Sequence, residues 1–141
     1  MTVATELTRA IEARLEAIAP SNGYKTALKG VFLIKAVEDK QPAPYALLRI
    51  ADDQTLDKLP RTAKRQASYE VEGVFPRSAT LIEMQLFHDD VLRALGWAGG
   101  EFDRPIPGQC KQDSVEYPNE PGATQRRVIV MFDVEYVEQY Q

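Results

Sequence analysis

A single cysteine, a single histidine and a single tryptophan leave this chain of 141 residues poor in the side chains that most site chemistry draws on. Cys110, alone, excludes an intramolecular disulfide and suits a reducing compartment. His88 has no spaced partner histidine or cysteine, whereas zinc needs several nitrogen or sulfur ligands converging on it. No apolar run approaches the roughly 20 residues that span a bilayer. The N-terminal MTVATELTRAIEARLEAIAP carries charges where a secretory leader needs an unbroken apolar core. The sequence has no G-x-S-x-G elbow, phosphate-binding loop, internal repeat or low-complexity tract. A basic excess is also missing: a net charge of −4 argues against a dedicated nucleic-acid binder, while leaving room for a local basic patch. The expectation is one soluble, cytoplasmic domain with no membrane segment.

What is present is ordinary globular material, 44% apolar and 27% charged, in a chain long enough to bury a real core. The most informative stretch is the C-terminal QRRVIVMFDVEYVEQYQ. Val128, Val130, Phe132, Val134 and Tyr136 alternate with Ile129, Met131, Asp133 and Glu135. Side chains alternate across a strand, so this reads as one long strand with a covered face and a second face that turns acidic.

Upstream, Leu7, Ile11, Leu15 and Ile18 recur at helical spacing, and Pro20 with Ser21-Asn22-Gly23 ends that helix. Gly30–Val37 and Tyr45–Ala51 read as strands, the second with few polar positions and so well inside the sheet. Between them the prolines of Lys40–Pro44 make an extended connector. Asp52–Ala67 shows no period and holds KLPRTAKR, which leaves a loop or a hairpin arm open. Ser68–Phe75 is a strand with Tyr69, Val71, Gly73 and Phe75 on one face and Glu70 and Glu72 on the other.

Thr80 and Glu83 then form a capping-box pattern, and Leu81, Met84, Phe87 or His88, Val91 and Leu95 follow at helical spacing up to Gly96. Gly96–Thr124 collects five of the eight glycines and four of the nine prolines, with a short strand expected near Ser114–Tyr117. Trp97 and Phe102 are expected to plug the end of the core. The order predicts an α+β fold: a mainly antiparallel mixed sheet, two helices on one face, and a long irregular segment before the last strand.

Two groups of side chains stand out as candidate sites. Lys58, Arg61, Lys64 and Arg65 place four basic residues within eight, suited to an acidic partner or a phosphate backbone. No aromatic residue interleaves them for base stacking. Glu70, Glu72, Asp133 and Glu135 could share one sheet face if their strands are neighbours, as a charged assembly or channel surface. The remaining candidates point to little chemistry. Adjacent helical positions in His88-Asp89-Asp90 point apart, Lys111 next to Cys110 could favour a thiolate, and Gly96–Gly100 follows a helix instead of leading into one.

The order LTRAIEARLEAI, paired strands, basic segment, ASYEVEGVF, TLIEMQLFHDDVLRAL, glycine- and proline-rich segment, RRVIVMFDVEYVEQY resembles the tail terminator and minor tail proteins of long-tailed bacteriophages. The resemblance covers nearly the whole chain and rests on size, element order and the final strand. It implies a structural virion protein of the tail and neck, not an enzyme, assembled in the host cytoplasm. The implied state is a homohexameric ring that caps the tail tube, ends tube polymerisation and meets the head-side connector protein. DNA would pass through the ring without sequence-specific binding, and six copies at −4 carry a formal charge of −24. Neither the residues nor the resemblance calls for a cofactor or a metal ion. The alternatives are another neck protein (a head–tail connector or tail completion factor) and a small α+β ligand-binding protein or enzyme using Trp97, His88 or Cys110.

Overall fold

The computed structural model describes residues 2–33, 41–96, 107–119 and 121–140. The first helix, α1 (Val3–Glu16), starts where Thr2 Oγ1 accepts the Thr5 N–H at 3.2 Å. Its remaining free N–H groups meet a carboxylate from the far end of the chain. Glu138 accepts from Val3 N at 3.0 Å and from Ala4 N at 3.3 Å, which puts an anion at the positive end of the helix. Leu7, Ile11 and Leu15, together with Ile18 just beyond the helix, are fully buried. The second helix, α2 (Leu81–Ala94), carries the complete capping box between Thr80 and Glu83 and stops at Gly96, whose φ is +90°. Met84, Phe87 and Val91 are buried, whereas Leu81, at the helix entrance, is 51% exposed and does not join the core. Phe87 takes the core position that it could have shared with His88.

Five strands follow the order β1-β2-β3-β5-β4 in a single sheet. They are β1 (Val31–Leu33), β2 (Tyr45–Leu59), β3 (Thr62–Pro76), β4 (Gln109–Glu116) and β5 (Gln125–Gln139). β1 runs parallel to β2 and every other pairing is antiparallel. This is the α+β arrangement expected, with both helices on the face that carries Val128, Val130, Phe132, Val134 and Tyr136. Tyr69 stacks on Phe132 with ring centroids 5.6 Å apart, and Phe75 meets Phe87 edge-on at 5.5 Å. Gly73 is required beneath α2, since a Cβ there would come within 2.6 Å of Phe87 Cε1.

Asp52–Ala67 is a hairpin arm, not a loop. β2 continues to Leu59, and Pro60-Arg61 turns directly into β3, with Arg61 in the left-handed region at φ +65°. Register shifts at Ile50/Asp52 and Thr55/Asp57 interrupt the alternation of two, which is why no strand period is readable there. Before the last strand, β4 begins at Gln109, well ahead of the Ser114 expected from sequence, so part of the irregular segment is strand. Residues 34–37 of the first predicted strand, Trp97, Phe102 and most of Gly96–Gly100 lie outside the described residues. Among the described residues, no helix is long and apolar enough to cross a membrane.

Candidate functional site

The arm is open on its β2 side, whereas the start of α1 lies over its β3 and β5 side, where Glu138, paired with Ala63, holds Val3 and Ala4. From Ala51 to Leu59 every β2 residue except Asp53 is exposed, and Ala63 and Ala67 are the buried positions of the facing stretch of β3. The outward strand edge is lined with charge (Asp52, Asp57, Lys58), which discourages open-ended pairing with other sheets. One of the four basic residues singled out by sequence is held inside the arm. Arg65 Nε donates to Asp53 Oδ1 at 2.9 Å and Nη1 to Thr55 Oγ1 at 2.9 Å, while Tyr136 OH donates to Asp53 Oδ2 at 2.6 Å. The Asp53 hydrogen bond holds the Arg65 guanidinium above its ordinary pKa, and burial raises the Tyr136 phenol. Arg65 therefore fastens β2 to β3 and β5. Lys64 lies 3.8 Å from Glu135, too far for a hydrogen bond. Lys58 and Arg61 have no ion-pair partner among the described residues. They line an open groove of about 550 Å³ with Leu59, Ala63, Arg65 and Tyr140.

The four carboxylates do share a face. β3 and β5 pair Glu70 with Met131, Glu72 with Ile129, Ser68 with Asp133 and Gln66 with Glu135, all on the side opposite the helices. They do not form a bare acidic surface. Arg49 binds Glu70 at 2.7 Å and Glu72 at 3.3 Å, and Lys111 binds Glu135 at 2.8 Å. Arg127 stands 3.8 Å from Glu72, and Ser68 Oγ donates to Asp133 at 2.7 Å. The Lys111 hydrogen bond holds the Glu135 carboxyl below its ordinary pKa of 4.5. Burial disfavours the Arg49 charge, but hydrogen bonds to Glu70 and Glu72 outweigh it and raise its pKa. The result is a cross-strand lattice of paired charge. Among the described residues, no group of three or more histidine, cysteine or acidic side chains could hold a metal ion.

The residues with most potential for chemistry are structural in their surroundings. His88 Nε2 lies 2.8 Å from Asp113 Oδ2, so its carboxylate comes from β4 and not from the adjacent Asp89 or Asp90. Asp90 is fully buried and accepts the backbone N–H groups of Lys25 (3.0 Å) and Thr26 (2.7 Å), holding the chain between α1 and β1. Burial pushes the Cys110 thiol up to about 11, so it is a thiol and not a thiolate at neutral pH.

All eight exposed large apolar side chains among the described residues fall into two groups. Ile50, Leu56, Leu59, Val137 and Tyr140 are on β2 from just before the arm to its tip and at the end of β5 beside it, while Leu81, Ile82 and Leu86 are on α2. Sequence reasoning missed both groups. A signal for the second exists: Ile82 and Leu86 are four residues apart and out of phase with Met84, Phe87 and Val91, so α2 carries a second apolar stripe. No such signal marks Leu59 or Tyr140, which lie at the ends of strands. At the other end of the sheet from the arm tip, a cleft of about 440 Å³ opens between the start of α2 and the β4–β5 connection, with Arg77, Arg126 and Arg127 on its walls. Arg126 is tied to the Arg77 carbonyl at 3.1 Å.

No protein-family model matches this chain, and no curated protein matches it significantly in sequence.

Proposed function

We propose that this protein is a structural ring component of a bacteriophage tail, of the tail terminator kind, and that it acts by assembling with copies of itself. The observation that carries the reading is the arm: a hairpin whose outer strand lies open, with exposed Leu56, Leu59 and Tyr140 and with Lys58 and Arg61 unpaired among the described residues. Exposed apolar surface concentrated in this way marks a contact with another molecule. The lattice of paired charge around Arg49, Glu70, Glu72, Lys111 and Glu135 supports the same reading. Its acids are neutralised within the chain, leaving a face suited to contacts that depend on charge pattern more than on chemistry. In this role the ring caps the tail tube, ends its growth and presents a surface to the head-side connector, and DNA passes through it.

Native mass spectrometry and negative-stain imaging of the purified chain test the reading, with a closed ring as the expected result. A strictly monomeric protein that also ignores purified tail tubes overturns it. Deleting the gene separates a terminator from a connector: overlong tubes are expected, whereas normal tails unattached to heads would identify a connector. A second reading, an enzyme, has the His88–Asp113 pair in its favour. It predicts a measurable turnover that His88→Ala abolishes.

A further inference from the structure

Leu59 and Tyr140 on one side and Ile82 and Leu86 on the other lie at opposite ends of β3. The arm tip precedes Thr62, and α2 starts beyond Pro76, a separation of fifteen strand residues or roughly 45–50 Å. One chain cannot bring them together. The charges borne by the two elements themselves differ in sign, although Lys25 lines a groove with Glu83 and Leu86, and Arg77 and Arg126 line a cleft with Leu81. At the tip Lys58 and Arg61 flank Leu59 and Tyr140, while Asp57 is opposed across the hairpin by Lys64. On α2, Ile82, Leu86 and Asp89 follow each other at helical spacing along an exposed stripe, Glu83 stands beside it, and the helix carries no lysine or arginine before Arg93. The first helix offers no equivalent, because none of its large apolar side chains is exposed.

We propose that copies of this chain join head to tail, the arm tip of one seating on the exposed α2 stripe of the next. This inference rests on the reading of the protein as a ring component and names the contact that builds the ring. Leu59 and Tyr140 of one copy cover Ile82 and Leu86 of its neighbour, and Lys58 and Arg61 face Asp89 and Glu83. Two different patches meeting in this way make a heterologous contact, which repeats from copy to copy and closes into a ring when the rotation allows. The occupant is a second copy because the matching stripe, apolar at Ile82 and Leu86 with Asp89 and Glu83 along the same helix, is on this same chain.

Charge exchange tests the contact with the full chain. Lys58→Glu with Arg61→Glu reverses the arm, and Gln85→Lys with Asp89→Lys reverses the stripe without touching the Thr80–Glu83 cap. Each double variant alone is expected to assemble at least tenfold more weakly than the wild type by analytical ultracentrifugation, with an unchanged thermal unfolding transition. Mixed one to one, the two variants are expected to recover assembly, since a reversed arm then meets a reversed stripe and a native arm meets a native stripe. Ile82→Ser, at a position 67% exposed, serves if a charge variant fails to fold, and the same tenfold weakening is expected.

Normal assembly of the arm variant overturns the contact and leaves the ring reading intact. So does a mixture that fails to recover, and so does an arm variant that forms rings but no longer binds purified tail tubes, which would assign the arm to the tube protein. A wild-type chain that stays monomeric, with or without tubes, removes the ring reading itself.

Discussion

Two halves of one hairpin differ in everything except their backbone pairing. In the half near α2, β2 buries Tyr45, Ala46 and Leu48 and β3 buries Tyr69, Val71 and Phe75, with helices above them. In the half that forms the arm, the same two strands continue in register through two bulges, yet β2 buries nothing beyond Leu48. The ladder of hydrogen bonds persists in both halves; the apolar cover ends along β2, while Ala63 and Ala67 of β3 stay buried. Cooperative stability should therefore be concentrated in the first half, and association in the second.

The largest expected effect is on the covered half. Phe87→Ala, at a fully buried ring over the sheet, should cost about 3–5 kcal/mol in urea unfolding. Gly73→Ala, which forces a Cβ against the Phe87 ring, should cost about 1–3 kcal/mol by overpacking. An equal loss from an exposed arm residue would break the distinction between the halves.

Smaller effects sharpen it. Arg65→Ala removes the cation that ties Asp53 and Thr55 across the arm and should cost about 1–2 kcal/mol. Hydrogen exchange should show that loss as faster exchange in the arm, with the amides beneath α2 unchanged. Lys58→Ala should change folding stability by no more than about 0.5 kcal/mol, measured by the same urea titration. Glu135 gives the mildest test, on the charged face. Because its folded pKa lies below 4.5, it stabilises the fold above that pH, and the contribution fades as pH falls through the lower folded value. Glu135→Gln should flatten the acid limb of stability measured between pH 6 and pH 3. An unchanged acid limb would remove the Lys111 contact from the account.

Both helices were legible because each closes its own local logic. A cap, a period of apolar residues and a stop all lie within a few turns of one another. The final strand was legible for the same reason, with its apolar parity unbroken over the nine residues from Val128 to Tyr136. The arm was not. Its bulges shift the parity, β2 is left open beyond Leu48, and the cover over β3 falls on two alanines, Ala63 and Ala67. The candidate cations show the consequence. Lys58, Arg61, Lys64 and Arg65 read alike as a basic run, but Arg65 is held by Asp53, twelve positions away, while Lys58 and Arg61 meet no acid among the described residues. Parity placed Glu70 and Glu72, and likewise Asp133 and Glu135, opposite the core face of their own strands, but only the β3–β5 pairing joins them on one face. Their neutralisation was not legible, because Arg49, Lys111 and Arg127 arrive from three strands whose neighbours are set only by sheet order.

By itself the sequence determined the α+β class, the bounds of α2, and which face of β5 enters the core, all of which follow from local pattern along the chain, whereas α1 stops at Glu16, ahead of the Pro20 expected to end it. Tertiary structure alone decided that the basic segment is a hairpin, that one of its arginines is structural, and that the acids of the sheet are paired. It also left exposed apolar side chains at opposite ends of β3. These depend on register and on which strands are neighbours, and a local pattern carries no information about what lies across the ladder.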